Sequence, residues 1–185
     1  TYLTLVEAWL SGATVYALYK PLAKKNYDEI SSVVVAAKNF YMQAGYVFLA
    51  LVTALAIGYP LIVKTQGLSN IEVALLVFIL GFNSVLEFFT LAKYRALLSA
   101  DQKTYIISLS STVHVVLNTV IIYVLARLGV GIVLLRTVAL ISILVRSLIL
   151  MIYVHKKYPW VNYKAKPEKK ALNKRWDAMY MQILG

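Results

Sequence analysis

The 185-residue sequence contains no cysteine, only two histidines and only eight acidic residues against nineteen basic ones. The absence of cysteine excludes disulfide bonds, thiol chemistry and cysteine-ligated metal sites. Two histidines argue against a zinc site, which draws on several His or Cys ligands. A Walker A loop is also absent, which excludes nucleotide hydrolysis by that route. Because no paired catalytic residues stand out, we expect no enzymatic activity, no cofactor and no metal.

Charged residues make up only 15% of the chain and hydrophobic residues 61%, with a mean hydropathy of +0.72. Soluble domains are closer to about 45–50% apolar, so the composition predicts an integral membrane protein. A net charge of +11 would suggest nucleic acid in a soluble protein. Here the basic residues lie between apolar runs, so we expect contact with membrane lipid and no nucleic-acid partner.

Five apolar runs follow one another, and each approaches the ~20 residues that a membrane-spanning helix needs. Because backbone groups must bond internally in lipid, each run predicts a helix. The runs are residues 3–19, 40–63, 71–93, 105–126 and 130–154. The predicted fold class is therefore all-α, a polytopic membrane helix bundle with five transmembrane helices in residues 1–154. Residues 155–185 are predicted to form a basic cytoplasmic linker and an amphipathic helix at the membrane surface, since Leu172, Trp176 and Ile183 recur at helical spacing. The approach to a sixth span is the alternative for this helix.

Basic residues are divided unevenly between the two sets of loops. Most of the nineteen lie between spans one and two, between spans three and four, and after span five, whereas Lys64 and Arg127 lie on the opposite side. By the positive-inside rule, the basic loops and the C-terminal tail face the cytoplasm. The chain opens at Thr1 inside an apolar run, so we expect it to be an excerpt of a longer protein.

Several local features predict where the helices end and where they pack. Pro60 should kink or end the second span. Asp101 stands before the fourth apolar run and is a predicted helix cap. Ala50, Ala54 and Gly58 form a small-residue face in the second span, which predicts close packing against another helix.

Polar residues recur at helical spacing in three of the five predicted spans. The three sets are Glu7, Ser11 and Thr14; Asn83, Glu87 and Thr90; and Ser111, His114 and Asn118. An intramembrane charge costs about 2.5–3.5 kcal/mol on insertion scales, so these stripes point to a bundle interior or a water-filled cavity. Interhelical hydrogen bonding is the alternative role for the hydroxyls. A lone histidine such as His114 is more often a core residue than a ligand.

Arg136 and Arg146 lie within the fifth apolar run. We expect Arg146 to pair with Glu87, because the two lie about 12 Å and about 9 Å from the inner ends of their spans. In the alternative, Glu87 bonds a hydroxyl such as that of Ser108 or Ser111, and Arg146 extends to the inner headgroups. The candidate cavity-facing residues for substrate binding are Arg136, Arg146, Glu87, Asn83, Glu7, His114 and Asn118.

Three stretches of the chain resemble bacterial polysaccharide flippases. They are Leu5–Ile30 (LVEAWLSGATVYALYKPLAKKNYDEI), Arg95–Tyr105 (RALLSADQKTY) and Lys174–Gly185 (KRWDAMYMQILG). The similarity is to the Wzx-like members of the multidrug/oligosaccharidyl-lipid/polysaccharide exporter superfamily, and it runs in order along essentially the whole chain. Trp9 departs from the pattern, because family members often have a small residue there.

The resemblance implies a parent of twelve or more spans in two lobes around a central cavity, of which this chain holds spans two to six. It implies movement of lipid-linked oligosaccharide across the bacterial cytoplasmic membrane for cell-surface polysaccharide synthesis. Cationic cavity residues would meet the pyrophosphate of this anionic substrate. The partners would be membrane lipid, that substrate and the remaining spans of the parent.

Two other functions stay open at this point. An exporter of cationic drugs or metabolites, of the same broad fold, would need uncompensated Glu7 and Glu87, whereas pyrophosphate would need free Arg136 and Arg146. A membrane-bound enzyme or an assembly scaffold is the alternative from another class. Paired titratable groups at one membrane interface would favour an enzyme, and the sequence shows none.

Overall fold

The structure, a computed structural model, describes residues 2–63 and 67–167, with side chains from Gly12 onward. Helices account for most of these residues, and no strand occurs among them. The helices are α1 (Tyr2–Ala23), α2 (Tyr27–Ile62), α3 (Asn70–Thr90), α4 (Ala92–Ala100), α5 (Thr104–Arg127), α6 (Ile132–Ala139) and α7 (Ile141–Lys157). The prediction of an all-α fold is confirmed over this part of the chain.

Four helical segments in the described chain are long and apolar enough to cross a membrane. They are α2, α3, α5 and the combined segment Ile132–Lys157, which contains α6 and α7. These segments correspond to the second to fifth predicted spans, and such a set is typical of a multi-pass membrane protein. The first predicted run lies within α1, a 22-residue helix that is not among the four. The amphipathic helix predicted after residue 170 lies outside the described residues.

The helix boundaries depart from the apolar runs where the backbone hydrogen-bonding pattern changes. α2 is 36 residues long and ends just after Pro60, as predicted. α3 ends at Thr90 rather than at Lys93, and the short helix α4 follows, with Leu91 as its N-cap residue. The Leu91 carbonyl accepts hydrogen bonds from the amides of Tyr94 and Arg95, both at 3.0 Å. Residues 92–100 were predicted to belong to a loop between two spans, and that prediction is wrong.

The fifth predicted span is divided at Leu140 into α6 and α7. The Leu140 amide donates to the Thr137 carbonyl and the Ile143 amide donates to the Leu140 carbonyl, both at 3.2 Å. These i→i+3 bonds are of the 3₁₀ type, which is tighter than an α-turn. The buried Ser142 hydroxyl donates to the Ala139 carbonyl at 2.7 Å, a side-chain bond that commonly bends helices.

The described residues divide into two compact units. The first unit comprises the described residues up to Tyr41, Leu91–Ser108 and those from Leu150 onward, and the second comprises Met42–Thr90 and Leu109–Ile149. In the first unit α1 packs against α4, and in the second α3 packs against α6. The core of the first unit contains Leu18, Ile30, Leu97, Leu98 and Val154, each at most 1% exposed. Burial of such a side chain contributes roughly 1.5–3 kcal/mol relative to leaving it in water.

Within the second unit, α2 and α3 approach each other closely at two glycines. A Cβ atom at Gly81 would lie 2.5 Å from Cγ1 of Val52, which is closer than real Cβ contacts. A Cβ atom at Gly45 would lie 2.8 Å from the ring of Phe89. Only glycine therefore lets the two helices come this close without a local shift of the neighbouring side chain.

The small-residue face predicted in α2 does not make this close contact. Ala50 and Ala54 are exposed, and within the described chain nothing lies within 4 Å of a Cβ atom built at Gly58. The prediction that these three residues mediate close packing is therefore wrong for the described residues. The helices meet through a different face because Gly45 and Gly81 lie opposite large or branched side chains that need the space.

Candidate functional site

The site is built on α3, whose first turn is fixed by a reciprocal cap. The Ser69 amide donates to Oε2 of Glu72 at 2.8 Å, and the Glu72 amide donates to Oγ of Ser69 at 3.3 Å. This capping box satisfies amides that the start of a helix leaves unbonded. The apolar helix then runs to Thr90, and Asn83 and Glu87 lie one turn apart on one face.

Glu87 forms an ion pair with Arg146 of α7, and both residues belong to the second unit. Nη1 of Arg146 donates to Oε1 of Glu87 at 3.2 Å, and Nη2 donates to Oγ of Ser111 in α5 at 2.8 Å. The guanidinium therefore joins three helices through one carboxylate and one hydroxyl. The ion pair predicted from the matched depths is confirmed.

Arg146 is buried, with a residue exposure of 7%, whereas the Glu87 side chain is 25% exposed. The alternative in which Arg146 extends to the headgroups is wrong, because its guanidinium is bound inside the unit. Removing one partner of a buried pair commonly costs about 3–5 kcal/mol, since the other charge stays buried. The pair therefore ties α3 to α7 but leaves neither charge as a simple counter-ion for a substrate.

A separate cavity of about 130 Å³ lies in the second unit among α3, α5, α6 and Leu140. Its polar lining consists of Asn83, His114, Asn118 and Arg136, and the remaining wall is apolar. A cavity of this volume has room for several waters. Four residues that the sequence proposed for substrate binding are thus brought to one place by three helices and the turn at Leu140.

The polar groups of this cavity are poorly satisfied by the protein itself. Within the described part of the chain, Arg136 makes no ion pair, and Arg136, Asn83 and Asn118 make no hydrogen bond. Nδ1 of His114 is buried and also lacks a partner there. The Asn83, Asn118 and Arg136 side chains are half-buried, so a polar occupant of the cavity can reach their unbonded groups, and the buried Nδ1 of His114 would normally be bonded to protein or water.

The cavity has the donors that an anion needs. Arg136 presents a planar guanidinium, and Asn83 and Asn118 each present an amide that can donate. A guanidinium binds a carboxylate or a phosphate through two parallel hydrogen bonds. No group of three or more His, Cys, Asp or Glu side chains that would bind a metal occurs among the described residues.

The other residues of the predicted stripes have separate positions. Thr90 donates to the Leu86 carbonyl of its own helix at 2.6 Å, so it does not reach the cavity. Thr14 is buried in the first unit. The side chains of Glu7 and Ser11 lie outside the described set, so their prediction stays as it was.

The first unit contains a polar cluster that was not predicted from the sequence. Oδ2 of Asp101 accepts a hydrogen bond from the Tyr158 hydroxyl at 2.5 Å and forms an ion pair with Lys103, whose Nζ also donates to Tyr158 at 3.1 Å. Asp101 is the C-cap residue of α4, and its side chain bonds Lys103 and Tyr158 rather than capping α5, so the predicted helix cap is wrong. The spacing of Asp101 and Lys103 could have suggested their contact, but Tyr158 is too distant in sequence to be foreseen.

Burial and hydrogen bonding act in opposite directions on this cluster. Burial disfavours the charged form of Asp101, but the hydrogen bonds from Lys103 and Tyr158 and the nearby positive charges outweigh it, so its pKa is lowered. Burial and the bond to the Asp101 carboxylate raise the pKa of Tyr158. The cluster therefore holds a carboxylate and a neutral phenol, which fixes the turn between α4 and α5 to the segment that follows α7.

Comparisons with protein-family models, with curated proteins and with solved structures return no match. The resemblance to the Wzx-like flippases therefore remains a prediction from the three sequence stretches that carry it.

Proposed function

We propose that this chain is part of a membrane transporter that moves an anionic lipid-linked oligosaccharide across the cytoplasmic membrane for cell-surface polysaccharide synthesis. The proposal joins the resemblance to the Wzx-like flippases with the charge arrangement of the second unit. In this proposal α1 is a fifth span, the basic loops face the cytoplasm, and the chain forms most of one lobe of a two-lobed transporter. The spans of the parent chain supply the opposite lobe.

The single observation that carries the proposal is the distribution of charge around the two arginines. Glu87 is neutralised by Arg146, whereas Arg136 lines the cavity without an ion-pair partner in the described chain. The described cavity therefore has a net positive charge. A transporter of cations would need the reverse arrangement, with an uncompensated carboxylate, so the charge favours an anionic substrate over a cationic drug or metabolite.

The energetic cost of Arg136 points in the same direction. The residue lies within a segment long and apolar enough to span a membrane, where an arginine costs about 2.5–3.5 kcal/mol on insertion scales. A charge retained at this cost commonly marks a substrate or ion pathway. A pyrophosphate would compensate the guanidinium through bidentate, charge-assisted hydrogen bonds, and the amides of Asn83 and Asn118 would add further donors.

Alternating access is the transport mechanism that fits such a site. In transporters of this kind the site lies near the middle of the membrane, and one bundle rocks against the other to open it to each side in turn. The break at Leu140 lies beside Arg136 in the cavity wall. Interrupted helices near the binding site are a feature of many transporters.

Substitution of Arg136 tests the proposal. We expect Arg136→Ala to reduce export of polysaccharide by roughly 10- to 150-fold, because a hydrogen bond to a charged group contributes about 1.5–3 kcal/mol. Arg136→Lys should keep part of the activity, since the charge remains but the bidentate geometry is lost. Export is measured as surface polymer in cells that depend on the parent protein, normalised to the amount of protein in the membrane.

Arg127→Ala provides the matched control, because Arg127 is an exposed arginine at the end of α5 whose contacts are with Tyr123. Its export should equal that of the unmodified protein. Normal export by Arg136→Ala at normal protein level would reject the assignment of Arg136 as a substrate-facing cation.

A further inference from the structure

A second cationic cluster lies in the first unit, apart from the cavity described above. Nζ of Lys93 lies 4.7 Å from the ring centroid of Tyr94 and 5.9 Å from that of Tyr163. His155 stacks on Tyr163 at a centroid distance of 5.4 Å and lies edge-on to Tyr94 at 6.2 Å. These four residues form an aromatic cluster around one ammonium group, which we call the Lys93 cluster.

The charge of Lys93 is not compensated by an acidic residue. Within the described chain Lys93 makes no ion pair, and the charge that acts on it is the positive charge of Lys38. Burial, and then repulsion from Lys38, lowers the pKa of Lys93. Burial and a like charge both disfavour the charged form of Lys93, and an anion beside its ammonium group would favour that form. Cation–π contact with the rings offsets only part of this cost.

The Lys93 cluster can contribute a hydrogen bond to a ligand in addition to the apolar contacts that its rings make. Nδ1 of His155 is bonded to the Met151 carbonyl at 2.8 Å, which makes Nδ1 the donor in that bond. With the ring proton on Nδ1, Nε2 of a neutral imidazole is an acceptor, so His155 contributes its ring rather than a donor for an anion. Burial and the neighbouring Tyr94 raise the pKa of Tyr163 to about 12, so its hydroxyl remains a neutral donor. The cluster thus combines two cations with the neutral hydroxyl of Tyr163 as a donor.

The position of the cluster in the chain matches the level of lipid headgroups. Lys93 and Tyr94 follow closely on the end of α3 at Thr90, and Tyr163 follows closely on the end of α7 at Lys157. Both α3 and the α6–α7 segment are candidate spans, so these residues belong to the flanks of spanning helices. Lys and Tyr at such flanks commonly reside at the membrane–water interface.

We propose that Lys93 and Lys38, together with the rings of Tyr94, Tyr163 and His155, form a binding site for the phosphate group of an anionic phospholipid. The half-buried ammonium group of Lys93 indicates a ligand with negative charge. The rings beside it indicate a ligand whose apolar chains lie next to its headgroup. Basic pockets beside spanning helices bind acidic headgroups in this way. The site does not depend on the proposed transport function, because it shares no residue with the cavity of the second unit.

The test is a titration of the purified protein in an uncharged detergent with short-chain phosphatidylglycerol. Phosphatidylcholine of the same chain length and inorganic phosphate are titrated in parallel. We expect saturable binding of phosphatidylglycerol that weakens about fivefold in Lys93→Gln and about fivefold in Lys38→Gln, since each lysine near an anionic headgroup contributes about that factor. Lys93→Arg should bind nearly as well as the unmodified protein, because the charge is kept.

Lys20→Gln is the matched control, since it removes the same charge from an exposed position of the same unit. It should leave the affinity unchanged. If Lys93→Gln does not fold, Lys38→Gln and Lys93→Arg still decide the outcome. Saturable binding of inorganic phosphate with the same dependence on both lysines would support a phosphate site whose ligand is soluble.

Two results would overturn the proposal. One is equal affinity for phosphatidylglycerol in Lys20→Gln, Lys38→Gln and Lys93→Gln, because the lysines of the cluster would then contribute no more than any surface charge. The other is equal affinity for phosphatidylcholine and phosphatidylglycerol, because the net charge of the ligand would then play no part.

Discussion

The ion pair between Glu87 and Arg146 makes the sharpest energetic prediction. We consider three variants, Glu87→Gln, Arg146→Met and the double variant that carries both changes. Each single variant leaves one charge inside the second unit without its ion-pair partner, whereas the double variant removes both charges and keeps similar side-chain volumes. The three free energies of unfolding, with that of the unmodified protein, form a double-mutant cycle.

The size of the effect follows from the distance and the burial. At 3.2 Å and an effective dielectric constant of about 20, the two charges attract each other by about 5 kcal/mol, before the cost of taking them out of water. Loss of one partner should cost about 3–5 kcal/mol. Glu87→Gln should lie toward the upper end, because the Arg146 side chain is 9% exposed and water compensates it poorly. Arg146→Met should lie toward the lower end, because the Glu87 side chain is 25% exposed.

The double variant should recover most of this loss, since replacing a buried pair by neutral groups is often close to neutral. The measurement is unfolding in mixed micelles of a mild detergent and dodecyl sulfate. Arg127→Met, at an exposed position, should change the free energy of unfolding by no more than about 0.5 kcal/mol. If the two single losses add up in the double variant to within about 0.5 kcal/mol, the charges are not coupled and the reasoning fails.

Two further predictions concern packing and pH. Gly81→Ala should destabilise the protein by about 1–2 kcal/mol, because the added methyl would overlap Val52. Gly58→Ala is the control and should be neutral or slightly stabilising, since nothing lies near that position in the described chain. Equal stability of the two variants would contradict the close approach of α2 and α3. Asp101 has a folded-state pKa below its usual 3.8, so it stabilises the fold above that pH, and this stabilisation is lost as the pH falls toward the folded pKa. Tyr158→Phe removes a hydrogen bond to the Asp101 carboxylate, so it should lower the free energy of unfolding by about 1–2 kcal/mol at pH 7. It should also weaken the loss of stability at acidic pH. An unchanged dependence of the free energy of unfolding on pH would refute this role of Tyr158.

The helices and the ion pair could be predicted from the sequence because both follow from the cost of polar groups in lipid. Apolar length alone located α3 and α5 to within a few residues. The same cost made Glu87 and Arg146 stand out, and their similar depths suggested the pair. Ser111, the second acceptor of the guanidinium, was predicted on a polar face but not as a partner of Arg146. Which faces of two helices meet depends on their rotation, and no single sequence encodes that directly.

The breaks at Leu91 and Leu140 could not be predicted, because apolar residues continue through both positions without a proline or a glycine. The change there lies in the backbone hydrogen bonds and in the Ser142 side chain, which are consequences of tertiary packing. The Lys93 cluster escaped prediction for a related reason. Its members come from segments that are distant in sequence, and the lysines resembled the other positive residues that determine topology.

The long sequence separation within the ion pair has a consequence for biosynthesis. Glu87 and Arg146 are 59 residues apart, so at about 5–20 residues per second the ribosome needs roughly 3–12 s to make the second partner after the first. If α3 inserts as it is synthesised, its carboxylate enters the membrane, at about 2.5–3.5 kcal/mol on insertion scales, before the guanidinium exists. In that case the apolar length of α3 and its contacts with α2 stabilise it during this interval, and the ion pair forms only when α7 has been made. A spanning segment that is synthesised later would thus complete the insertion of one that preceded it.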